Sequence, residues 1–479
     1  MERAEAEGVY ERGRDAVVAV LLKLDERIAK QDERIAELER RLNRNSSNSS
    51  TPPSQDPPGA PERKRAPCSG RSPGGQPGHA GHGRSLLAAE SVDEVEEHWP
   101  ERCSCCDRRF AEDERAPVGE RRRHQVSDLP EIAVVLTEHH LMRLRCPDCG
   151  QVTCAELPPD VPTGAFGPRM QAATTTLSVR NRVSRRDVVE LAGELFGASI
   201  STGTVDAIVG LAGEALDRPY QRLKDDIRAA AAVNVDETGW RLKGAKRTLG
   251  GAFTARAALL RIAPDRHERE LQALLGEEFA GIASSDRWWA YNGLDPERRQ
   301  VCWSHLIRDF TAHAEGLAAQ KELGEAGLRI AERLFEAWRN FQQDGDRVKL
   351  KRAAAPLKRE LKALLKTHAR KSARHRHTRT FANNLLKVWP ALWNFTKTDG
   401  VQPTNNHAER GLRGAVIYRK LSLGSQSEQG ERAIERLLSV SQTCRLQGRP
   451  LFAYLTDVLA AHARGHPAPL LIPTTARTN

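Results

Sequence analysis

The stretch AAVNVDETGWRL, residues 231–242, decides the reading of this 479-residue chain. Ala232, Val233, Asn234 and Val235 form a short β-type run that ends at an acid, Asp236. Downstream, TLGGAFTARAALLRIA (248–263) supplies apolar strands around a Gly-Gly bend. After a helix-like ERELQALLGEEF (268–279), AGIASSDRWWAYNGL (280–294) repeats the logic: a short apolar run, then Asp286, then aromatics. RQVCWSHLIRDF (299–310) is another short strand leading into a helix. Strands alternating with helices predict an α/β sheet, with Asp236 and Asp286 at the C-terminal ends of two strands.

Two such carboxylates suit a divalent cation. Mg²⁺ takes hard oxygen ligands, and two-metal phosphoryl transfer needs carboxylates that bridge and flank the ions. A third would come from a helix packed on the sheet. PTNNHAERGLRGAVIYRK (403–420) offers Glu409 among Arg410, Arg413, Arg419 and Lys420. Asn405 and Asn406 are read as caps of that helix, Asn406 favoured, or as DNA contacts, Arg410 and Arg413 as DNA contacts or a solvated face, and Arg308 as able to reach a phosphate. Trp288, Trp289 and Tyr291 read as packing rather than base stacking, and Cys302 and His305 as core residues at a strand end.

Upstream, Leu21, Ile28, Ile35 and Leu42 recur every seven residues, with Leu24, Gln31 and Leu38 in the intervening seam, a short coiled-coil pattern that predicts self-association. Residues 43–84, rich in Ser, Pro and Gly, read as a flexible linker that includes His79 and His82. Cys103 and Cys106, then Cys146 and Cys149, form two CxxC knuckles able to fill the four positions of a structural Zn²⁺. Cys105 or Cys154 could replace a neighbour. EIAVVLTEHHLMRLRC (131–146), with His139 and His140, reads as a strand entering the second knuckle, giving a zinc ribbon with a hairpin between its knuckles. SRRDVVELAGELFG (184–197) and SISTGTVDAIVGLAGEAL (199–216) outline a helix-turn-helix, with Ser201 or Thr202 as N-cap.

Lys and Arg number 74 against 63 Asp and Glu, a net charge of +11, which favours an acidic partner such as nucleic acid. From residue 340 to 381, thirteen Lys/Arg face three Asp/Glu, a run suited to a polyanion. No stretch approaches the roughly 18 apolar residues of a membrane span. Nothing resembles a signal peptide, so the nine cysteines are expected reduced, in a cytoplasm.

VDET at 235–238, SDxxxxY from Asp286 to Tyr291, CxxHxxR at Cys302, His305 and Arg308, and NNxxER at Asn405, Asn406, Glu409 and Arg410 resemble transposases of the insertion-sequence-66 family. So does the order of a zipper, an NSSNSSTPPS linker and a zinc-binding segment. The resemblance implies an RNase H-like core whose Asp-Asp-Glu triad is Asp236, Asp286 and Glu409, holding Mg²⁺ or Mn²⁺, with a helical insertion within the 123 residues before the glutamate. The expected architecture is multidomain α/β: coiled coil 1–44, linker 45–90, zinc-binding domain 91–160 and helix-turn-helix-like DNA-binding segment 161–228. The core's first part spans 229–310, the basic helical insertion 311–400, the second part with its catalytic Glu helix 401–462, and a tail 463–479. The implied activity is cleavage of the ends of an insertion sequence and joining of the 3′-hydroxyls to target DNA. The partners are double-stranded DNA, further copies of the chain and accessory proteins encoded by the element, in a bacterial cytoplasm at the nucleoid. The rival readings are a nuclease without joining activity and an inert zinc DNA-binding protein derived from a transposase.

Overall fold

A computed structural model describes residues 8–42, 85–119, 121–316, 318–370 and 376–472. The chain divides into two units, residues 64–134 and the remainder. The linker reading at 43–84 lies outside the described residues. In the smaller unit, the first knuckle is a tight turn: the Cys103 N–H donates to the Arg108 carbonyl, the Asp107 N–H donates back to Cys103, and Asp107 takes a left-handed φ of 56°.

In the larger unit, α1 (Arg14–Leu42) carries the heptad pattern, and its Leu21, Ile28 and Ile35 are exposed. The second knuckle sits between β1 (Arg143–Arg145) and β2 (Val152–Cys154), which pair antiparallel. It repeats the turn of the first, with Gly150 at φ 75° where the first has Asp107. The hairpin therefore brackets one knuckle instead of lying between the two. Residues 131–142 form no strand: Val135 and Leu136 are almost fully exposed, and without pairing their β-branched and apolar character has nothing to fix it.

The helices that follow obey their caps. α2 (Pro168–Thr175) precedes α3 (Arg185–Phe196), whose N-cap Ser184 accepts from the Asp187 N–H and which stops at left-handed Gly197. α4 (Thr202–Ala215) starts on Ser201, which accepts from Thr204, and α5 (Asp217–Arg228) leads into the sheet. Val188, Ala192, Ile200, Val205 and Ile208 bury the face that α3 and α4 share.

The sheet has five strands in the order β5-β4-β3-β6-β7: β3 (Ala232–Leu242), β4 (Ala245–Phe253), β5 (Ala258–Ala263), β6 (Ile282–Ser285) and β7 (Arg299–Val301). β3, β4 and β5 form an antiparallel meander; β3, β6 and β7 run parallel. Helix α6 (Glu268–Leu275) joins the two halves. β3 does not end at Asp236. Its parallel pairing stops at Asn234, but its antiparallel pairing with β4 runs on to Leu242 and turns at Lys243 and Gly244, both at positive φ. Glu, Thr and Gly are weak strand signals, and the strand is held instead by Trp240, buried and stacked on Tyr418 with planes 4° apart. Gly250 and Gly251 make no bend either. They lie inside β4, where a Cβ on Gly251 would come within 2.7 Å of the Phe253 ring, and the chain turns at Thr254–Ala257.

α7 (Trp303–Ala314) leaves β7 and is followed by α8 (Ala318–Asp344), α9 (Arg347–Arg370) and α10 (Arg376–Lys387). These have a hydrophobic core of their own, with Leu350, Leu357, Leu361 and Leu365 of α9 buried at helical spacing. The basic run is thus the outer face of an amphipathic helix as well as a reservoir of charge. The chain returns to the sheet with α11 (Asn406–Ser422), α12 (Glu428–Leu446) and α13 (Leu451–Ala463). α12 closes the edge of the sheet. Thr443, Ser439 and Glu435, one turn apart, accept the backbone N–H groups of Ala258, Leu260 and Ile262 in β5 at 2.8–3.0 Å. Among the described residues no helix is long and apolar enough to cross a membrane.

Candidate active site

Asp236 lies midway along the central strand, where the parallel half of the sheet ends and the hairpin continues. Its Oδ1 accepts the Glu237 N–H at 2.9 Å. Burial first, then the neighbouring Glu237 charge, then Asp286 and Glu409 push its pKa up to about 7. Acids 50 and 173 residues away in sequence therefore act on one side chain. Glu237 is raised as well, again chiefly by burial, and accepts the hydroxyl of buried Tyr291.

Asp286 follows directly on β6, as its sequence predicts. Its Oδ1 accepts the Trp288 N–H at 2.8 Å, an Asx turn that fixes the carboxylate. Its carbonyl accepts from the Arg299 guanidinium at 2.8 Å and from the Ser285 hydroxyl at 2.9 Å. Arg299 is 1% exposed on β7 and also donates to the Ser285 hydroxyl, the Tyr291 carbonyl and Asn292 Oδ1. Every one of these acceptors is neutral. Burial accordingly lowers its pKa to about 10 despite the attraction of Asp286, and it stays charged at neutral pH.

Glu409 stands in the first turn of α11. The residue that places it is Asn405, buried at the N-cap position yet making no cap with its side chain. Instead Asn405 Nδ2 donates to the Val235 carbonyl at 2.7 Å, its Oδ1 accepts from Asn234, and its N–H donates to Cys302 Sγ at 3.2 Å. One side chain thus ties the start of the glutamate helix to the strand residue next to Asp236. Burial pushes the Cys302 thiol up, but His305 and the Asn405 N–H together bring it below its usual pKa, and His305 lies above its own chiefly because of the thiol. These two belong to the frame, as their sequence suggests. Gly411 sets the depth of α11: a Cβ there would lie 2.4 Å from the Phe253 ring. Gly411→Ala should cost about 1–3 kcal/mol through overpacking, read from denaturation midpoints, and should impair any chemistry that uses Glu409.

Asn406 is the first helical residue and is exposed, so it does not cap; Arg308, Arg410 and Arg413 are exposed too. Among the described residues no group of three or more His, Cys, Asp or Glu side chains is arranged to hold a metal ion, so the acids interact without forming a closed coordination sphere. In each knuckle the first cysteine, Cys103 or Cys146, has its pKa lowered by hydrogen bonds from backbone N–H groups within its own turn, that of Cys106 or Cys149 first, which favours the thiolate a metal needs. Residues the sequence did not single out are Glu237, Arg299 and the anchoring role of Asn405. Nothing local marks Arg299, which opens a three-residue strand with Gln300 and Val301 directly after the polar Glu297 and Arg298.

The acids thus sit on a mixed sheet that is closed by a late helix. Residues 163–433, more than half of the chain, match the model of the Transposase IS66 family, and the chain belongs to that family. Residues 3–85 match a family of unknown function (DUF6444). The chain is 25% identical over 411 residues to uncharacterized protein y4hP of Sinorhizobium fredii, covering 77% of this chain and 71% of that one. It is 27% identical over 209 residues to uncharacterized protein y4qI of the same organism, covering 40% of this chain and 37% of that protein.

Proposed function

We propose that this transposase cuts the ends of its insertion sequence and joins the freed 3′-hydroxyls to target DNA, with Asp236, Asp286 and Glu409 as the ligands of Mg²⁺ or Mn²⁺. The observation that carries the reading is the joint action of Asp286 and Glu409 on Asp236 at the centre of the sheet. The sheet order, an antiparallel meander beside two parallel strands, supports an RNase H-like core. The donor set is three carboxylates, the hard oxygen ligands a divalent cation takes, and the charges of Asp286 and Glu409 add to the burial that disfavours ionised Asp236, which a cation would relieve. When bound, the ions supply an activated nucleophile and charge stabilisation at the leaving oxygen.

The chain's own groups supply position. Asn405 and Gly411 seat Glu409 against β3, Arg299 and the Trp288 N–H hold Asp286, and Asp236 must lose its proton to serve. Arg308, Arg410, Arg413 and Asn406, all exposed, are assigned to the DNA backbone, along with the outer face of α9. Cys103, Cys106, Cys146 and Cys149 are assigned as ligands of structural Zn²⁺, and α1 is assigned to pairing of copies through its exposed heptad positions.

The test is a strand-transfer assay with DNA carrying the gene's own flanking ends, uncut or pre-cut to 3′-hydroxyls, with Mg²⁺ added or withheld. Joined products that require the metal are expected. Cutting without joining would make the protein a nuclease, and binding without either would make it an inert DNA-binding relative.

A further inference from the structure

Beside the acids lies a second feature that the triad does not use. The cavity lined by Asp236 and Glu237 shares four wall residues, Thr248, Asp265, Arg266 and His267, with an open groove of about 990 Å³. Six cationic side chains line the groove: Arg241, Lys246, Arg247, Arg266, Arg419 and Lys420. Its only acid, Asp265, is paired with Arg269. Three of the cations have hydrogen-bond or ion-pair partners, since Arg247 leans toward Glu428 and Glu431, Arg419 donates to the Gly239 carbonyl and Arg241 donates to the Gly244 carbonyl. Lys246, Lys420, Arg241 and Arg266 remain exposed along it.

Two tryptophans complete the wall. Trp288 is covered by the Arg266 guanidinium, 3.4 Å from its ring centroid. Trp289 is 50% exposed, and its ring contacts are edge-on to His267 and tilted to Trp288, neither of them a parallel stack. A large apolar ring held half in water, in a cationic groove, three residues from Asp286, is poorly explained by packing alone.

We propose that this groove holds a DNA strand with an unpaired nucleotide whose base stacks on Trp289 while Lys246, Lys420 and Arg266 take the adjoining phosphates. A base inside a duplex cannot offer its face to a side chain; one that has left the stack can, and any base will serve because each has a π-face. Seating such a nucleotide beside Trp289 would bring the neighbouring phosphodiester toward the Asp286 end of the acid cluster. The inference rests on the DNA-cutting reading above and adds the state of the strand that the site accepts.

The full chain and its Trp289→Ala and Trp289→Phe variants are titrated with two probes bearing 2-aminopurine at the end of the element. One is fully paired and the other carries unpaired bases at the cut position. Trp289→Ala should weaken the unpaired probe about tenfold and abolish the quenching of its 2-aminopurine, with the paired probe changed less than about twofold and Phe restoring most of the loss. Lys246→Ala with Lys420→Ala should flatten the salt dependence on the unpaired probe by about two phosphate contacts. Equal losses on both probes, or none on either, overturn the proposal. If the wild-type chain cuts no DNA yet shows the Trp289-dependent preference, the catalytic reading falls and this one stands; if it cuts and Trp289→Ala behaves as wild type, only this one falls.

Discussion

Asp236→Asn should abolish DNA cutting by about a thousandfold or more while making the protein more stable. The two effects have one cause. The folded protein holds the Asp236 pKa at about 7, against an ordinary carboxylate value of 3.8. Between those values the folded state keeps a proton that the unfolded chain has released. Stability therefore falls as pH rises from about 4 to about 7, and the penalty is fully present above that window. It amounts to about 4–5 kcal/mol, at about 1.4 kcal/mol per pKa unit. Asparagine carries no charge at any pH and escapes it. Glu435, buried and also raised to about 7, contributes in the same direction, but it is present in both proteins and cancels in the comparison. Denaturation midpoints should therefore lie closer together for the two proteins at pH 5, where only part of the penalty is present, and further apart at pH 8, with the variant the more stable. Mg²⁺ at pH 8 should raise the wild-type midpoint and leave the variant's nearly unmoved. A variant destabilised at both pH values would make Asp236 a structural residue.

How far the site could be read from sequence depended on whether its residues announce themselves locally. Asp286 did, because β6 is a short apolar run with the acid directly after it. The cap Ser201 did as well, since a hydroxyl accepting an N–H three residues on is a local device. β3 was legible only as far as Asp236: Glu237, Thr238 and Gly239 are strand residues because β4 pairs with them and Tyr418 stacks on Trp240, contacts that no window of β3 contains. The glycine pair of β4 misled for the same reason. Gly251 leaves room for Phe253, and for Leu412 arriving on α11 more than 150 residues later. Asn405 is the sharpest case. Its position suggests a cap, yet its hydrogen bonds go to Val235 and Cys302, so its role exists only once three distant segments have met.

Arg299→Met should be the most damaging single change outside the acid triad. Methionine keeps the length and the apolar stem while removing all five donors. The carbonyls of Asp286 and Tyr291, the Asn292 amide oxygen and the Ser285 hydroxyl would each lose the guanidinium, in a place where water has little access. Each buried acceptor left unmatched costs about 1–3 kcal/mol, and relief of the Arg desolvation offsets part of that. A net loss of about 3–5 kcal/mol in urea denaturation follows. The effect on chemistry is separable from the effect on stability. Arg299 fixes the backbone of Asp286, so a variant kept well below its midpoint should still bind DNA, cut it slowly, and need more Mg²⁺ for half-maximal rate. Arg299→Lys, which can reach one or two of the four acceptors, should fall between. The neutrality of those acceptors supports this assignment: among the described residues no carboxylate within salt-bridge distance balances the buried charge, so the cost of burying it is offset by the turn it organises. An Arg299→Met protein with an unchanged urea midpoint and wild-type Mg²⁺ dependence would mean that the Asx turn at Asp286 holds the loop by itself.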